Sequence, residues 1–569
     1  MTVDFNIMVA GEAGQGLQAV CIVLSKTFTR GGYHIFADQD FESRIRGGHS
    51  FCRVRVRDID VQAISERINL LVALNQESID IHRKEIVKDG LMLIDGEDPG
   101  SEDANLFHVP MSRLAKDQAG NLRTSNSVAL GSIIALIGYD IDILSGVFKD
   151  HFKEPDIIQQ NIKAASAGYQ YIKDNFKQPY TYQMPPHDKS DRMMLDGNEA
   201  VALGALAAGC KFVSGYPMTP TTPILEYLAS KAGEMDMAVV EAEDEISAIN
   251  MNIGASFTGV RSMTATSGGG FCLMVEGFGL AGMTETPIVV VYGQRAGPAI
   301  GLPTRTEQGD LQFVLRASHG EFPRAIYAPG TAEEAFWLTI KAFNMAEKYQ
   351  IPAVLLIDHH LADSYCSVNR FDLNKISIDR GQLLSTAELE KAHPYQRYKY
   401  TQTGISPRAL PMAGDELVVS DSDEHDEDGH MIEDAETRRL MVEKRMLKLL
   451  SIKQDMASPC VYGPEKAATT LVGWGSTYGP LKEAVDTLNK EKADVNLLHY
   501  SEIWPFNKQP VIGAASTAKK IYTVENNFTG QFADLIAQET GRMVNGKILK
   551  WDGRPFSPEY IVREFKKIG

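Results

Sequence analysis

The six cysteines of this 569-residue chain, at positions 21, 52, 210, 272, 366 and 460, never fall within four residues of one another. The sequence therefore offers no ligand spacing for a structural zinc or an iron–sulfur cluster, and no metal ligands are assigned. Scattered thiols of this kind suit a reducing compartment, where they serve as small core residues. Basic charge is also short. With 57 Lys and Arg against 74 Asp and Glu the net charge is −17, which argues against a nucleic-acid or anionic-membrane partner. No apolar run approaches the ~20 residues needed to cross a bilayer. The N-terminus, with its acidic Asp4, lacks the charged-then-apolar order of a secretory signal, so a cytoplasmic protein is expected. Internal repeats are absent as well.

What is present is a globular composition, 44% apolar and 23% charged, on a length that suits roughly three or four domains. Residues 1–177 alternate short apolar runs (5–10, 33–37, 69–73, 91–95) with helical patterns such as 17–27, which predicts a mostly parallel, wound α/β domain. Residues 178–194 lose that rhythm and carry three prolines, so a linker is expected there. From 195 to 365 the alternation returns, with strands expected at 239–240, 262–265, 287–292, 322–327 and 353–357, buried on both faces. Residues 366–456 read as an irregular acidic connector. Within it, six carboxylates in the eight residues 421–428 mainly repel one another, which favours a solvated loop over a cation site, and 435–453 reads as an amphipathic helix with a basic face. Residues 457–569 form a third α/β pattern, with strands at 469–474, 495–500 and 520–525 and a helix at 480–490. The expected fold class is α/β, with three wound α/β domains.

The stretch from 216 to 310 concentrates the residues that could carry chemistry. Tyr216-Pro217-Met218-Thr219-Pro220 holds Thr219 between two prolines, which fixes a hydroxyl where negative charge would gain from it. It is equally a proline-stiffened turn with Thr221 or Thr222 as a helix N-cap. Glu245 precedes a helical apolar pattern and suits either a buried functional carboxyl or a capping acid favoured by the helix dipole. Glu243 and Asp244 are close enough to be confused with it. Gly254-Ala255-Ser256 and Thr266-Ser267-Gly268-Gly269-Gly270 would let a flat ring or a partner backbone approach, though a glycine triplet after a strand is also an ordinary loop or phosphate nest. Arg295 follows an expected buried strand and so belongs at the carboxyl edge of the sheet, where open α/β folds bind ligands and an arginine fork suits a carboxylate. Arg305 is the second candidate for that role.

Taken in order, these motifs resemble the alpha subunit of 2-oxoacid:ferredoxin oxidoreductases. The resemblance implies that Thr219 contacts the substrate carboxylate, that Glu245 hydrogen-bonds thiamine diphosphate at N1′, and that Arg295 binds the 2-oxoacid. Tyr216, Pro217, Thr266, Ser267 and Gly268 would line the cofactor. A carboxyl at N1′ drives the aminopyrimidine toward its imino tautomer, which requires it to be desolvated. Two departures from the family pattern are Met218, where isoleucine is usual, and Gly269, where proline is usual. Residues 1–177, with Gly11-Glu12-Ala13-Gly14-Gln15-Gly16 and Arg46-Gly47-Gly48, resemble the family's separate gamma subunit fused in front of alpha. The Gly11–Gly16 order is G-x-x-G-x-G, not the dinucleotide fingerprint, which favours a structural turn or a coenzyme A contact. Segment 195–365 corresponds to the thiamine pyrimidine-binding domain. Segment 457–569, with Val472-Gly473-Trp474-Gly475-Ser476 and Ile503-Trp504-Pro505-Phe506, resembles the transketolase C-terminal-like domain.

The family pattern for the diphosphate half of such a site is Gly-Asp-Gly followed by an asparagine pair, with Mg²⁺ held by oxygen ligands. This chain has no Gly-Asp-Gly, and its Asn526-Asn527 has no such partner upstream. The resemblance thus implies a beta subunit carrying Mg²⁺, the diphosphate site and a [4Fe-4S] cluster, with ferredoxin as acceptor, coenzyme A as co-substrate and a dimer of heterodimers as the assembly. The gamma–alpha fusion without a built-in ferredoxin domain favours 2-oxoglutarate over other oxoacids. Two rivals stand beside it: a ferredoxin-independent thiamine decarboxylase or transketolase-like component, and a non-enzymatic regulatory α/β protein.

Overall fold

The structure, a computed structural model, describes residues 3–43, 47–97, 103–188 and 190–568. Arg46, of the Arg-Gly-Gly turn, and Lys189, of the expected linker, lie outside the described residues. The chain divides into two units. One comprises residues 1–196, 363–371 and 557–560, the other 197–362, 372–556 and 561–569. Among the described residues no helix is long and apolar enough to cross a membrane.

In the first unit, Asp4–Glu12 buries seven consecutive residues between exposed ends, as a strand covered on both faces must, and sits inside an eight-stranded sheet. On one side Ile68–Ala73, Ile86–Asp95 and Leu106–Val109 continue it in parallel, the wound arrangement that the periodicity predicts. On the other side His49–Arg57, His34–Asp40, Tyr365–Val368 and Met193–Leu195 pair antiparallel in succession. The sheet is therefore mixed, and the expectation of a mostly parallel sheet is corrected. The cause is His49–Arg57, whose alternating arginines find acids on both neighbouring strands. Arg53 bonds Asp38 at 2.9 and 2.6 Å, and Arg55 bonds Asp4 at 2.8 Å through both nitrogens.

The expected linker is laid onto this unit. Tyr180 and Tyr182 pack on Phe5, with ring centroids 6.4 and 5.5 Å apart, and the Tyr33 hydroxyl donates to the Pro185 carbonyl at 2.6 Å. Its prolines supply extended backbone, and its tyrosines supply the anchorage. The expected boundary at 365 also shifts, because residues 363–371 return to the first unit through Tyr365–Val368.

The second unit holds two sheets. The larger runs Glu502–Trp504, Ala325–Tyr327, Pro352–Asp358, Ile288–Gln294, Ser262–Ser267, Phe212–Gly215, Ala238–Glu241. Every pairing in it is parallel except that of the Glu502–Trp504 edge. The smaller runs Cys460–Tyr462, Val495–Tyr500, Thr469–Trp474, Lys520–Glu525, Gly546–Leu549. A C-terminal segment thus supplies a strand to the preceding sheet, so the segment expected as an independent third domain is stitched to its neighbour. Gln308 strengthens that seam. It exchanges hydrogen bonds with the Asn526 backbone at 2.7 and 3.1 Å, reaches the Trp474 carbonyl at 2.9 Å, and accepts Asn527 Nδ2 on its own carbonyl at 3.0 Å.

Two expectations for the connector change. The acidic run is not a solvated loop throughout: Glu424 takes two bonds from Arg445 at 2.8 and 2.7 Å, and buried His425 lies 3.9 Å, centroid to centroid, from the Tyr398 ring. Helix Ala435–Asp455 turns Lys444, Arg445 and Lys448 inward, each 3% exposed or less, so its basic face is an interior one.

Candidate active site

The carboxyl ends of Phe212–Gly215, Ser262–Ser267 and Ile288–Gln294 lie side by side, and each strand leads directly into one of the segments singled out above. After the first come Tyr216, 41% exposed, and exposed Pro217. The turn that follows is fixed through its carbonyls. Arg295 Nη1 donates to Thr219 O at 2.9 Å, and buried Asn198 Nδ2 donates to Pro220 O at 2.9 Å. Gly293 leaves the needed room, since a Cβ there would stand 2.6 Å from Thr221 Cγ2. Thr221 does not cap the next helix; its hydroxyl turns back onto Met218 O at 3.0 Å.

The three consecutive acids separate by role. Glu243 is exposed, Asp244 is the N-cap and accepts Ser247 N at 2.7 Å, and Glu245 begins helix Glu245–Phe257 with 4% of its surface exposed. Capping thus belongs to Asp244, and Glu245 is left for another task. Among the described residues no cation or hydrogen-bond donor reaches its carboxyl group.

Thr266 and Ser267 finish their strand, and Gly268-Gly269-Gly270 is the first turn of helix Gly268–Met283 and not a free loop. The glycines are required by what faces them. A Cβ on Gly270 would meet Thr266 Oγ1 at 2.1 Å and Glu245 Oε1 at 2.7 Å, and one on Gly268 would meet Tyr292 Oη at 3.0 Å and Asp310 Oδ2 at 3.4 Å. Two acids therefore flank the same turn. Among the described residues the Thr264 and Ser267 hydroxyls are buried without hydrogen-bond partners, while the Tyr292 hydroxyl faces the Asp310 carboxyl. Burial raises the Asp310 carboxyl above the ordinary aspartate range, burial and the neighbouring Asp310 raise the Tyr292 phenol, and burial lowers the Arg295 guanidinium.

Thr219, Glu245, Arg295, Thr266, Ser267 and Gly268 are thus assembled at one sheet edge, with Tyr216 and Pro217 at its exposed rim. Arg305 is drawn beside that edge through the backbone, its carbonyl accepting Ala296 N at 3.2 Å, while its Cβ faces Gly553. Gly254 is exposed with nothing near its Cβ position, whereas Ser256 of the same step is buried and donates to the Pro287 carbonyl. Sequence reasoning missed Asn198 and Tyr292, and used Asp310 only as the far end of the motif-bearing stretch. Asp310 had a signal, as it stands where an N-cap of the short helix Leu311–Leu315 would be, yet its side chain makes no capping bond. The buried carboxyl, orphaned hydroxyls and side-chain-free turn fit an aminopyrimidine that needs a proton-sharing acid and close backbone approach. Among the described residues, the three ligand-type side chains close enough to share an ion are Asp426, Asp428 and His430, on the connector and not at this site.

Comparison with known proteins places the chain in a family. Residues 203–444 match the family described as "Pyruvate flavodoxin/ferredoxin oxidoreductase, thiamine diP-bdg". Residues 6–171 match "Pyruvate ferredoxin/flavodoxin oxidoreductase", and 467–561 match core domain II of pyruvate:ferredoxin oxidoreductase. The alpha subunit of a 2-oxoacid:ferredoxin oxidoreductase from a Sulfolobus species is 33% identical over 99% of this chain and 96% of its own length. The 2-oxoglutarate synthase subunit KorA of Methanothermobacter thermautotrophicus is 31% identical over 67% of this chain and 99% of its own. Among solved structures, the 2-oxoglutarate:ferredoxin oxidoreductase of Magnetococcus marinus, with 2-oxoglutarate, coenzyme A and succinyl-CoA bound, superposes with a TM-score of 0.92 and 31% identity over 99% of both chains. With a curated relative at this identity along nearly its whole length, the chain belongs to the 2-oxoacid:ferredoxin oxidoreductase alpha-subunit family.

Proposed function

We propose that this chain is the gamma–alpha subunit of a heteromeric, cytoplasmic enzyme that converts 2-oxoglutarate and coenzyme A to succinyl-CoA and carbon dioxide, with electrons leaving to ferredoxin. Thiamine diphosphate, when bound, supplies the electron sink that lets a 2-oxoacid lose carbon dioxide. Glu245 holds a proton at the pyrimidine N1′, and Tyr216, Pro217, Thr266, Ser267 and Gly268 frame the ring. Thr219 and the guanidinium N–H groups that Arg295 does not use on Thr219 O bind the substrate carboxylate. The observation that carries this reading is the state of Glu245, buried and free of any capping or ion-pair duty.

The chain contributes half of the site. It has neither Gly-Asp-Gly nor a cluster-forming cysteine spacing, which supports a beta subunit holding Mg²⁺, the diphosphate and a [4Fe-4S] cluster, in a dimer of heterodimers. The choice of 2-oxoglutarate is supported by the oxoacid named for both the Methanothermobacter relative and the Magnetococcus structure. The test is to co-purify the chain with its partner and assay iron and coenzyme A-dependent viologen reduction on a panel of 2-oxoacids. Expected are iron in the complex, fastest turnover with 2-oxoglutarate, and none with this chain alone. Faster turnover with pyruvate or a branched-chain oxoacid overturns the substrate assignment, and an iron-free active complex overturns the ferredoxin-linked reaction.

A further inference from the structure

Helix Gly268–Met283 has its first turn in the site and its far end in a buried nest of cations. Beyond Met283, the Thr284 and Glu285 carbonyls accept Arg397 Nη2 at 3.3 and 2.9 Å, and Thr284 O also accepts the Tyr398 hydroxyl at 3.2 Å. The Glu285 carboxylate, 1% exposed, takes Lys444 Nζ on Oε1 at 2.6 Å and Lys448 Nζ on Oε2. Gln350 ties the same residues together, accepting Arg397 Nη1 at 2.8 Å on its side chain and Lys448 Nζ at 3.2 Å on its carbonyl. The other charged or titratable groups here are Arg445, bound to Glu424, and His425, stacked on Tyr398. Cations at this end are where the helix dipole and the last carbonyls favour them.

That far end is coupled to the site by close packing. Helices Glu245–Phe257 and Gly268–Met283 meet in the same order along both: Gly270 against Glu245, then Gly277, whose Cβ would lie 2.7 Å from Ile249 Cγ2, then Pro287 O accepting the Ser256 hydroxyl. A helix of this length is about 24 Å long, and its contacts at Gly270 and Gly277 leave no slack against the neighbouring helix. A shift at Thr284–Pro287 therefore alters the contact between Gly270 and Glu245.

We propose that Arg397, Lys444 and Lys448 are positioning residues of the active site: by anchoring the far end of Gly268–Met283, they fix where its glycine turn meets Glu245. The inference rests on the reading of Glu245 as the cofactor-activating acid. The test is Lys448→Met in the assembled complex loaded with thiamine diphosphate. It reads kcat and KM for 2-oxoglutarate, the near-ultraviolet circular dichroism of the cofactor's imino tautomer, and Tm. Expected is a kcat lowered roughly tenfold or more with KM within about twofold, and a weakened imino signal. Unchanged kcat and imino signal overturn the proposal, whatever Tm does, because the cluster then serves stability alone. If Lys448→Met fails to assemble, Glu285→Gln/Lys448→Met removes opposite charges together and is judged on the same readings. Glu245→Gln is measured alongside. Near-normal turnover there sinks the reading of Glu245, whereas loss there with an unaffected Lys448→Met sinks only the positioning role.

Discussion

Glu245 and Glu285 are buried glutamates at opposite ends of the same helix contact, and their surroundings are opposite. Glu285 is met by Lys444 and Lys448, with Arg397 on its carbonyl, so its carboxyl lies well below the usual range despite complete burial. Glu347 repeats the pattern with Arg261 and Arg380 at 2.7 Å and Arg408 at 3.2 Å. Among the described residues no cation meets Glu245, and Asp310, on the other side of the glycine turn, is raised by burial. A buried acid without a partner is unfavourable for folding, so its persistence at a cleft marks a site that needs a group able to share a proton. At Glu285 and Glu347, which tie distant segments together, cations surround the acid.

The comparison breaks first at Glu245. Glu245→Gln should lower turnover by on the order of 10²–10⁴-fold, the range for losing an acid–base group, while Tm stays level or rises because an uncompensated acid is gone. Steady-state kinetics and a thermal scan of the same complex decide it, and a fall in Tm matching that of Glu285→Gln would erase the distinction. Glu285→Gln strands two buried lysines, while Arg397 keeps its carbonyl partners, and should cost about 3–5 kcal/mol of stability by denaturant unfolding. A loss under about 1 kcal/mol would show that the lysines are already neutral. Arg295→Ala, at a half-buried carboxylate-binding position, should raise KM for 2-oxoglutarate roughly 30-fold, about 2 kcal/mol, with a smaller change in kcat. An unchanged KM would transfer the role to Arg305.

The sequence made some of this visible and hid the rest for physical reasons. Thr219, Glu245 and Arg295 were legible because each follows a strand, and strand ends converge at one edge of a parallel sheet. The ambiguity between capping and burial at Glu245 was not, since Asp244 and Glu245 differ only in which one the first helical turn swings inward. Lys444 and Lys448 read only as part of a basic face because periodicity reports which residues share a face and not what covers it. The covering acid, Glu285, is some 160 residues away. His49–Arg57 was passed over for a similar reason: three arginines in a strand look unfavourable until Asp4 and Asp38 are seen on its neighbours.

The smallest effect tests the cation side of the comparison. Lys448 is fully buried, and desolvation outweighs the pull of Glu285, lowering its pKa from 10.5 to about 7. Between those values the unfolded chain holds a proton that the folded chain lacks. Unfolding then takes up a proton, so stability rises with pH through this window and the gain is lost as pH falls back through about 7. Buried tyrosines with raised pKa reverse the trend once unfolded tyrosine ionises near pH 10, which bounds the useful range at roughly 7 to 10. Within it, the difference in stability between the native protein and Lys448→Met should grow with pH by up to about 1 kcal/mol per unit. A difference that stays flat across the range would mean that Lys448 keeps its proton, so that Glu285 holds a charged lysine where, among the described residues, no cation meets Glu245.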